Sequence, residues 1–187
     1  RILRQDIEPL GYRSRFTIYD RSDQEGVARK ALREIHCPTT ALRPSDLLWR
    51  IGNWKRESLR AEAAGETVVD EKDTLAALAY KKYELALKAA NAVDFDDLLL
   101  CTEELFRDHP DVLARHQKRF DYVMVDEYQD TNATQYRIIS SLVAKHGNLC
   151  VVGDDDQAIY GWRGARMENI LEFDREFPDA TIVRLEE

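Results

Sequence analysis

The hydrophobic pattern of this chain changes period once, near residue 121, and that change limits the folds open to it. Upstream, apolar residues recur at helical spacing. Downstream they fall in short continuous runs, "YVMV" at 122–125 and "LCVVGD" at 149–154. Runs of that length, bounded by polar residues, suit buried parallel strands. Between them, a helix over about 133–145 puts Ile138, Ile139, Leu142 and Val143 on its core face. A second helix, about 165–176, leads through Pro178 to a third strand in "ATIVRLE", 180–186. Strand and helix alternating in this way predict a parallel α/β unit, whose ligand site lies beyond the carboxyl ends of its strands.

Residues 1–120 read as helices joined by short polar breaks. "SDQEGVARKALREI" offers Ser22 and Glu25 at capping-box spacing, with Val27, Ala28, Ala31, Leu32 and Ile35 on one face. "RPSDLLWRIGNWKRES" predicts a helix after Pro44 with Ser45 as its N-cap and Leu47, Leu48, Ile51 and Trp54 as its stripe. A long helix over about 73–90 follows, rich in Ala, Leu, Lys and Glu. Asp94 then caps the helix of "DFDDLLLCTEELF", and Pro110 opens another in its first turn. "FTIYD" at 16–20 is a short extended piece. Trp49, Trp54, Tyr80 and Tyr83 suit packing better than base-stacking platforms.

With 187 residues, 44% hydrophobic and 33% charged, the chain is expected to be soluble and globular, with one core plus a small satellite. No apolar run is long enough to span a bilayer, and no secretory leader is visible. Cys37, Cys101 and Cys150 are odd in number and never form C-x-x-C. They read as reduced thiols of a cytoplasmic protein, not as a disulfide frame or zinc site. The net charge of −8 is unevenly spread: residues 1–60 hold 13 Lys/Arg against 8 Asp/Glu, and residues 61–187 hold 14 against 27. The basic segment could face phosphate or be an ordinary solvated surface.

Both acid clusters, Asp126-Glu127 and Asp154-Asp155-Asp156, fall at predicted strand ends. Adjacent hard carboxylates there suit Mg²⁺ bound to phosphate, one holding the metal while its neighbour activates water. Acids in such places also cap helices. The stretch "VVGDDDQAIYGWRGA" (151–165) adds a Gln, a Tyr, a Trp and an Arg in a Gly-punctuated loop, a mixture that core packing rarely uses. Its aromatics could stack on bases while Gln157 reaches toward phosphate.

"VMVDEYQDTN" followed about twenty residues later by "VVGDDDQAIYGWRGA" resembles the superfamily 1 DNA helicases of the Rep, UvrD and PcrA type. "RLEE" at the end is similar to the start of that family's next motif. "IGNWKRE" (51–57) and "DFDDLLL" (94–100) look most similar to Rep. The resemblance implies a helical accessory domain over about 1–118 followed by a partial RecA-like parallel α/β layer over about 119–187. It implies an ATP-dependent helicase that translocates 3′ to 5′ on single-stranded DNA, in replication or repair, in the cytoplasm or at a bacterial nucleoid. By the same resemblance Asp126 binds Mg²⁺ and Glu127 activates the hydrolytic water. Gln157 senses the γ-phosphate, and Arg163 links nucleotide and DNA sites. Tyr160 and Trp162 contact single-stranded DNA, with Trp162 the better stacking platform. Gln129, Asp130 and Asp154 share these motifs with less defined roles, and Asp155 and Asp156 serve either as turn caps or directly.

None of the eight glycines begins a G-x-x-x-x-G-K-[ST] loop, whose amides would cradle ATP phosphates. The family carries that loop upstream, and its arginine fingers and second motor domain downstream. The expectation is therefore half an ATP site, completed by other domains of the same parent, which engage single-strand/duplex junctions. Alternatives are a helicase linked to a nuclease domain, a non-catalytic DNA- or partner-binding module derived from a helicase, and a two-metal nuclease built on Asp126, Glu127, Asp130 and Asp154.

Overall fold

The computed structural model describes residues 1–154 and 173–183. The chain opens with helix α1 (Ile2–Asp6) and a single 3₁₀ turn (Glu8–Leu10), then strand β1 (Thr17–Ile18). Four helices follow: α2 (Arg21–Glu34), α3 (Pro44–Arg56), α4 (Ala61–Glu66) and α5 (Glu71–Ala89). Strand β2 (Ala92–Val93) precedes α6 (Phe95–Asp108) and α7 (Pro110–Arg119). The α/β part contains β3 (Val123–Val125), a 3₁₀ turn (Tyr128–Asp130), α8 (Ala133–Val143) and β4 (Leu149–Val151), and a short helix spans Phe173–Glu176. None of the described helices is long and apolar enough to cross a membrane.

The extended piece at 16–20 is strand β1, which pairs in parallel with β2, Thr17 opposite Ala92 and Ile18 opposite Val93. β2 has no sequence signature beyond two small apolar residues. Asn91, in the left-handed conformation at φ 48°, ends α5 and turns the chain into it. The pairing also moves the start of α2. Tyr19 N–H is held by Val93 O at 2.8 Å, so the backbone stays extended through Asp20. Asp20 therefore caps α2, in a reciprocal box with Asp23 rather than through Ser22 and Glu25. Ser45 is likewise not a cap: Pro44 occupies the first turn, where its missing N–H costs nothing, and Arg43 is the N-cap residue. The long helix starts at Glu71, capped by Asp70. Asp94 caps α6 in a box with Asp97, and Pro110 opens α7, both as expected.

Two apolar clusters hold the helices. The larger joins α2, α3 and α5 through Leu32, Leu47, Ile51, Tyr80 and Tyr83. The smaller joins α1, α6 and α7 through Leu3, Ile7, Leu105 and Val112. β2 lies between them, with Ala92 in the first and Val93 in the second. Trp54 stacks on Tyr80 with ring planes 7° apart, so these aromatics pack the interior, while Trp49 is exposed.

Between these clusters is a buried ionic group that the apolar pattern does not announce. Lys55, in the last turn of α3, is fully buried, its Nζ 2.7 Å from Asp94 and 2.8 Å from Asp97. The Tyr83 hydroxyl donates to the same Asp94 oxygen at 2.9 Å. Arg60 adds bonds to Asp97 at 3.1 Å and to Glu104 at 2.6 and 2.7 Å. Burial alone would lower the Lys55 ammonium and raise the Asp97 carboxyl. The paired charges reverse both, holding Lys55 above its ordinary value and Asp97, which Arg60 also faces, below its own. Cys101 lies beside Arg60, and burial pushes its thiol up to about 12, so it stays protonated. Arg50 pairs with Asp73 and Asp70. Part of the basic excess of residues 1–60 is thus neutralised inside the fold.

β3 and β4 pair in parallel, Val123 with Leu149 and Val125 with Val151. They are not buried on both faces as expected. Val125 borders the same cleft as Ile138 and Ile139 of α8, but on the alternate face Met124 is 76% exposed, because no described element packs there. On α8, Val143 is buried, whereas Ile138, Ile139 and Leu142 are only half-buried. Residues 180–183 form no strand: Ile182 and Val183 are exposed, and no described strand meets them to pair. The rest of that expected strand, and residues 165–172 of the expected helix, lie outside the described residues.

Removing Lys55 leaves two buried carboxylates short of a cation. Lys55→Met should cost ~3–5 kcal/mol in urea denaturation at neutral pH. Asp97, held below its ordinary 3.8, contributes stability that is present above about pH 4 and lost as pH falls through its folded value. The gap between the native chain and Lys55→Met should therefore narrow on acidification. A gap that widens would contradict the pairing.

Candidate functional site

The β3–β4 ladder carries Asp126 and Glu127 to its carboxyl end. Val152 N–H bonds Val125 O at 2.8 Å and Tyr128 N–H bonds Val152 O at 3.0 Å, so the chain crosses over the end of β4. Between those bonds Glu127 adopts a left-handed backbone, φ 51° and ψ 45°, a region that non-glycine residues seldom occupy. Its N–H is held by Asp126 Oδ1 at 2.9 Å. A single 3₁₀ turn follows, closed by the Thr131 hydroxyl on Tyr128 O at 2.7 Å.

Neither acid caps the helix that follows. Asn132 does, in a reciprocal box with Gln135, both bonds 2.9 Å. Glu127 precedes the 3₁₀ turn without a side-chain capping bond. The capping explanation for the acid pair therefore fails, and both side chains are exposed. They border a cleft of about 310 Å³ shared with Asp130, Thr131, Gln135 and Ile138. Asp130 Oδ1 is shielded from water there and has no hydrogen-bond partner among the described residues.

The residues fit a Mg²⁺–nucleotide better than a self-sufficient metal cage. No group of three or more potential ligands converges among the described residues. Mg²⁺ sheds water reluctantly and is commonly held by one or two carboxylates, with phosphates and water completing its shell. Exposed carboxylates beside the orphaned Asp130 oxygen match that requirement.

Gln129, whose role the sequence leaves undefined, is buried and uses both ends of its amide. Nε2 donates to Glu127 Oε2 at 2.6 Å, and Oε1 accepts the Asp154 N–H at 3.1 Å. Asp154 thus reaches the acid pair through its backbone. Asp155, Asp156, Gln157, Tyr160, Trp162 and Arg163 lie outside the described residues. Thr134 is a second residue that sequence reasoning misses. Wholly buried, its hydroxyl faces Lys55 O at 3.2 Å and Arg56 O at 2.9 Å, the carbonyls ending α3. Its single proton serves these carbonyls, so Ser58 Oγ, 2.8 Å away, donates to it. A hydroxyl one residue into a helix gives no sequence sign that it will meet another helix end.

A sequence model of the UvrD/REP helicase N-terminal domain matches residues 1–178. The chain is 43% identical over 187 residues to the ATP-dependent DNA helicase PcrA of Leuconostoc citreum, an alignment covering 100% of this chain and 25% of that protein. It is 41% identical to the proteins of the same name from Staphylococcus aureus strain Mu50 and Staphylococcus epidermidis, again over 100% of this chain and over 26% of each relative. The chain spans about a quarter of the length of these curated relatives.

Thr134→Val keeps the side-chain shape and removes the bonds to α3. It should destabilise the chain by ~1–3 kcal/mol in urea denaturation, the scale of leaving buried acceptors unsatisfied. A change within error would mean that water replaces the hydroxyl at no cost.

Proposed function

The chain belongs to the UvrD/REP helicase N-terminal domain family, and from that premise we propose that it supplies part of an ATP-driven motor moving on single-stranded DNA. In this reading residues 1–118 are the helical accessory region and residues 119–187 the C-terminal part of a RecA-like layer. The parent protein translocates 3′ to 5′ and opens duplex at single-strand junctions. The phosphate-cradling loop missing from these 187 residues belongs to the upstream part of the same motor domain, and the arginine fingers and second motor domain follow downstream in the same protein. The setting is the cytoplasm, at the nucleoid if the source is bacterial.

One observation carries the reading: two adjacent carboxylates stand at the carboxyl end of a parallel pair, free of any capping duty, beside an unsatisfied acid oxygen. Asp126 would hold the magnesium of Mg–ATP, which would neutralise charge on the phosphates when bound. Glu127 would orient the attacking water and accept its proton. Its position supports this, since the left-handed backbone turns it away from the strand axis into the cleft. Gln157 would sense the γ-phosphate, Arg163 would relay between sites, and Tyr160 and Trp162 would meet the DNA. These four assignments rest on the resemblance of "VVGDDDQAIYGWRGA" to the family motif.

In the full-length protein, Glu127→Gln should leave ATP binding nearly intact while turnover falls by ~10²-fold or more, the scale of losing a general base. Turnover within a few-fold of wild type would remove Glu127 from the role. Trp162→Ala should weaken single-strand binding by about 5- to 150-fold, whatever the base composition, as expected for a lost stacking platform. A lowered melting temperature with unchanged DNA affinity would make Trp162 a packing residue instead.

A further inference from the structure

We propose that Gln129 is the positioning residue of this site, fixing the Glu127 carboxylate to the backbone at the end of β4. The proposal rests on the reading of Glu127 as the water-activating group. The orientation of the Gln129 amide is set by its surroundings. Asp154 N–H can only donate, so the carbonyl oxygen of the amide must face it. The NH₂ group is then left to face Glu127, 2.6 Å from Oε2. Rotating the amide by half a turn would set donor against donor and acceptor against carboxylate, and at 1% exposure no water could compensate.

Two consequences follow for Glu127. Oε2 already accepts one bond from the amide, which lowers its basicity and favours Oε1 as the oxygen that receives a proton from water. The side chain is also tied at its tip while its backbone is held by Asp126 Oδ1 and by the Tyr128 bond to Val152. A left-handed non-glycine residue persists only when its surroundings over-determine it, and these contacts do so. The same amide makes the carboxylate's position depend on where Asp154 lies. Asp154 immediately precedes the stretch holding Gln157, Tyr160, Trp162 and Arg163. A displacement of the backbone at Asp154 would therefore be passed to Glu127 through one rigid, planar group.

Two substitutions in the full-length protein separate the bonds. Gln129→Glu keeps an acceptor for Asp154 N–H but turns a like charge toward Glu127, whereas Gln129→Leu removes both bonds. Both should lower kcat roughly 10- to 100-fold, the usual scale for a displaced catalytic group, with KM for ATP within about threefold of wild type. Residue-resolved hydrogen exchange, read without nucleotide, should find the Asp154 amide protected in the wild type and in Gln129→Glu, and unprotected in Gln129→Leu. Glu127→Gln is run beside them. If Glu127→Gln is inactive while Gln129→Glu turns over like wild type, the positioning role is overturned and the reading of Glu127 stands. If Glu127→Gln itself turns over normally, the reading of Glu127 has failed and the role falls with it. An Asp154 amide equally exposed in all three proteins would overturn the bridge directly.

Discussion

The helical part of the structure depends on a buried cation. Lys55 lies at the end of α3 between the apolar clusters, with two carboxylates from the start of α6 closing on it. Burying an ammonium is costly unless its partners are close and well aligned, and here a tyrosine hydroxyl and an arginine bond the same two carboxylate oxygens that face Lys55, while backbone N–H groups take the other two. Asp94 and Asp97 do double duty, since each also bonds the other's backbone in the α6 capping box. The helix start and the ion pair are therefore one unit, and α3 cannot shift along α6 without exposing a charge.

That unit continues to the acid pair. The carbonyls of Lys55 and Arg56 meet the Thr134 hydroxyl, so the residue that ends α3 with its backbone also anchors it with its side chain. Thr134 is two residues past Asn132, which caps α8 and closes the loop that begins at Asp126. The loop is thus held at one end by the β3–β4 ladder and at the other by α3. Within it, Gln129 spans the gap between Glu127 and Asp154. The acid pair is held by these paired polar groups, whereas the buried Asp130 oxygen beside it is left without a partner among the described residues.

Much of this could be read before any coordinates. The helical period of α2 and α3 is explicit in their apolar spacing, α5 is legible from its helix-forming composition, and Asp94 and Pro110 mark the starts of α6 and α7 by local chemistry alone. The strand ends carrying Asp126-Glu127 and Asp154 follow from two apolar runs and the acids behind them. Caps were less legible where a distant contact intervened. Asp20 displaced Ser22 because a strand pairing 74 residues away in the chain keeps the backbone extended, Tyr19 bonding Val93. Residues 180–183, the described part of an expected strand, show the converse: an apolar run becomes a strand only when a neighbour offers it a ladder.

The sequence by itself determined which segments are helical, where the acids fall, and which family the motifs resemble, because periodicity, capping and motif spacing are local properties. Tertiary structure alone decided what the polar residues do. Lys55, Gln129 and Thr134 look like surface residues in the sequence, since the partners that bury them lie far along the chain. Their partners are separated by 39, 25 and 79 residues. A buried hydrogen bond needs two groups within about 3 Å in a defined direction, and only the packed fold brings groups that far apart in sequence to that distance.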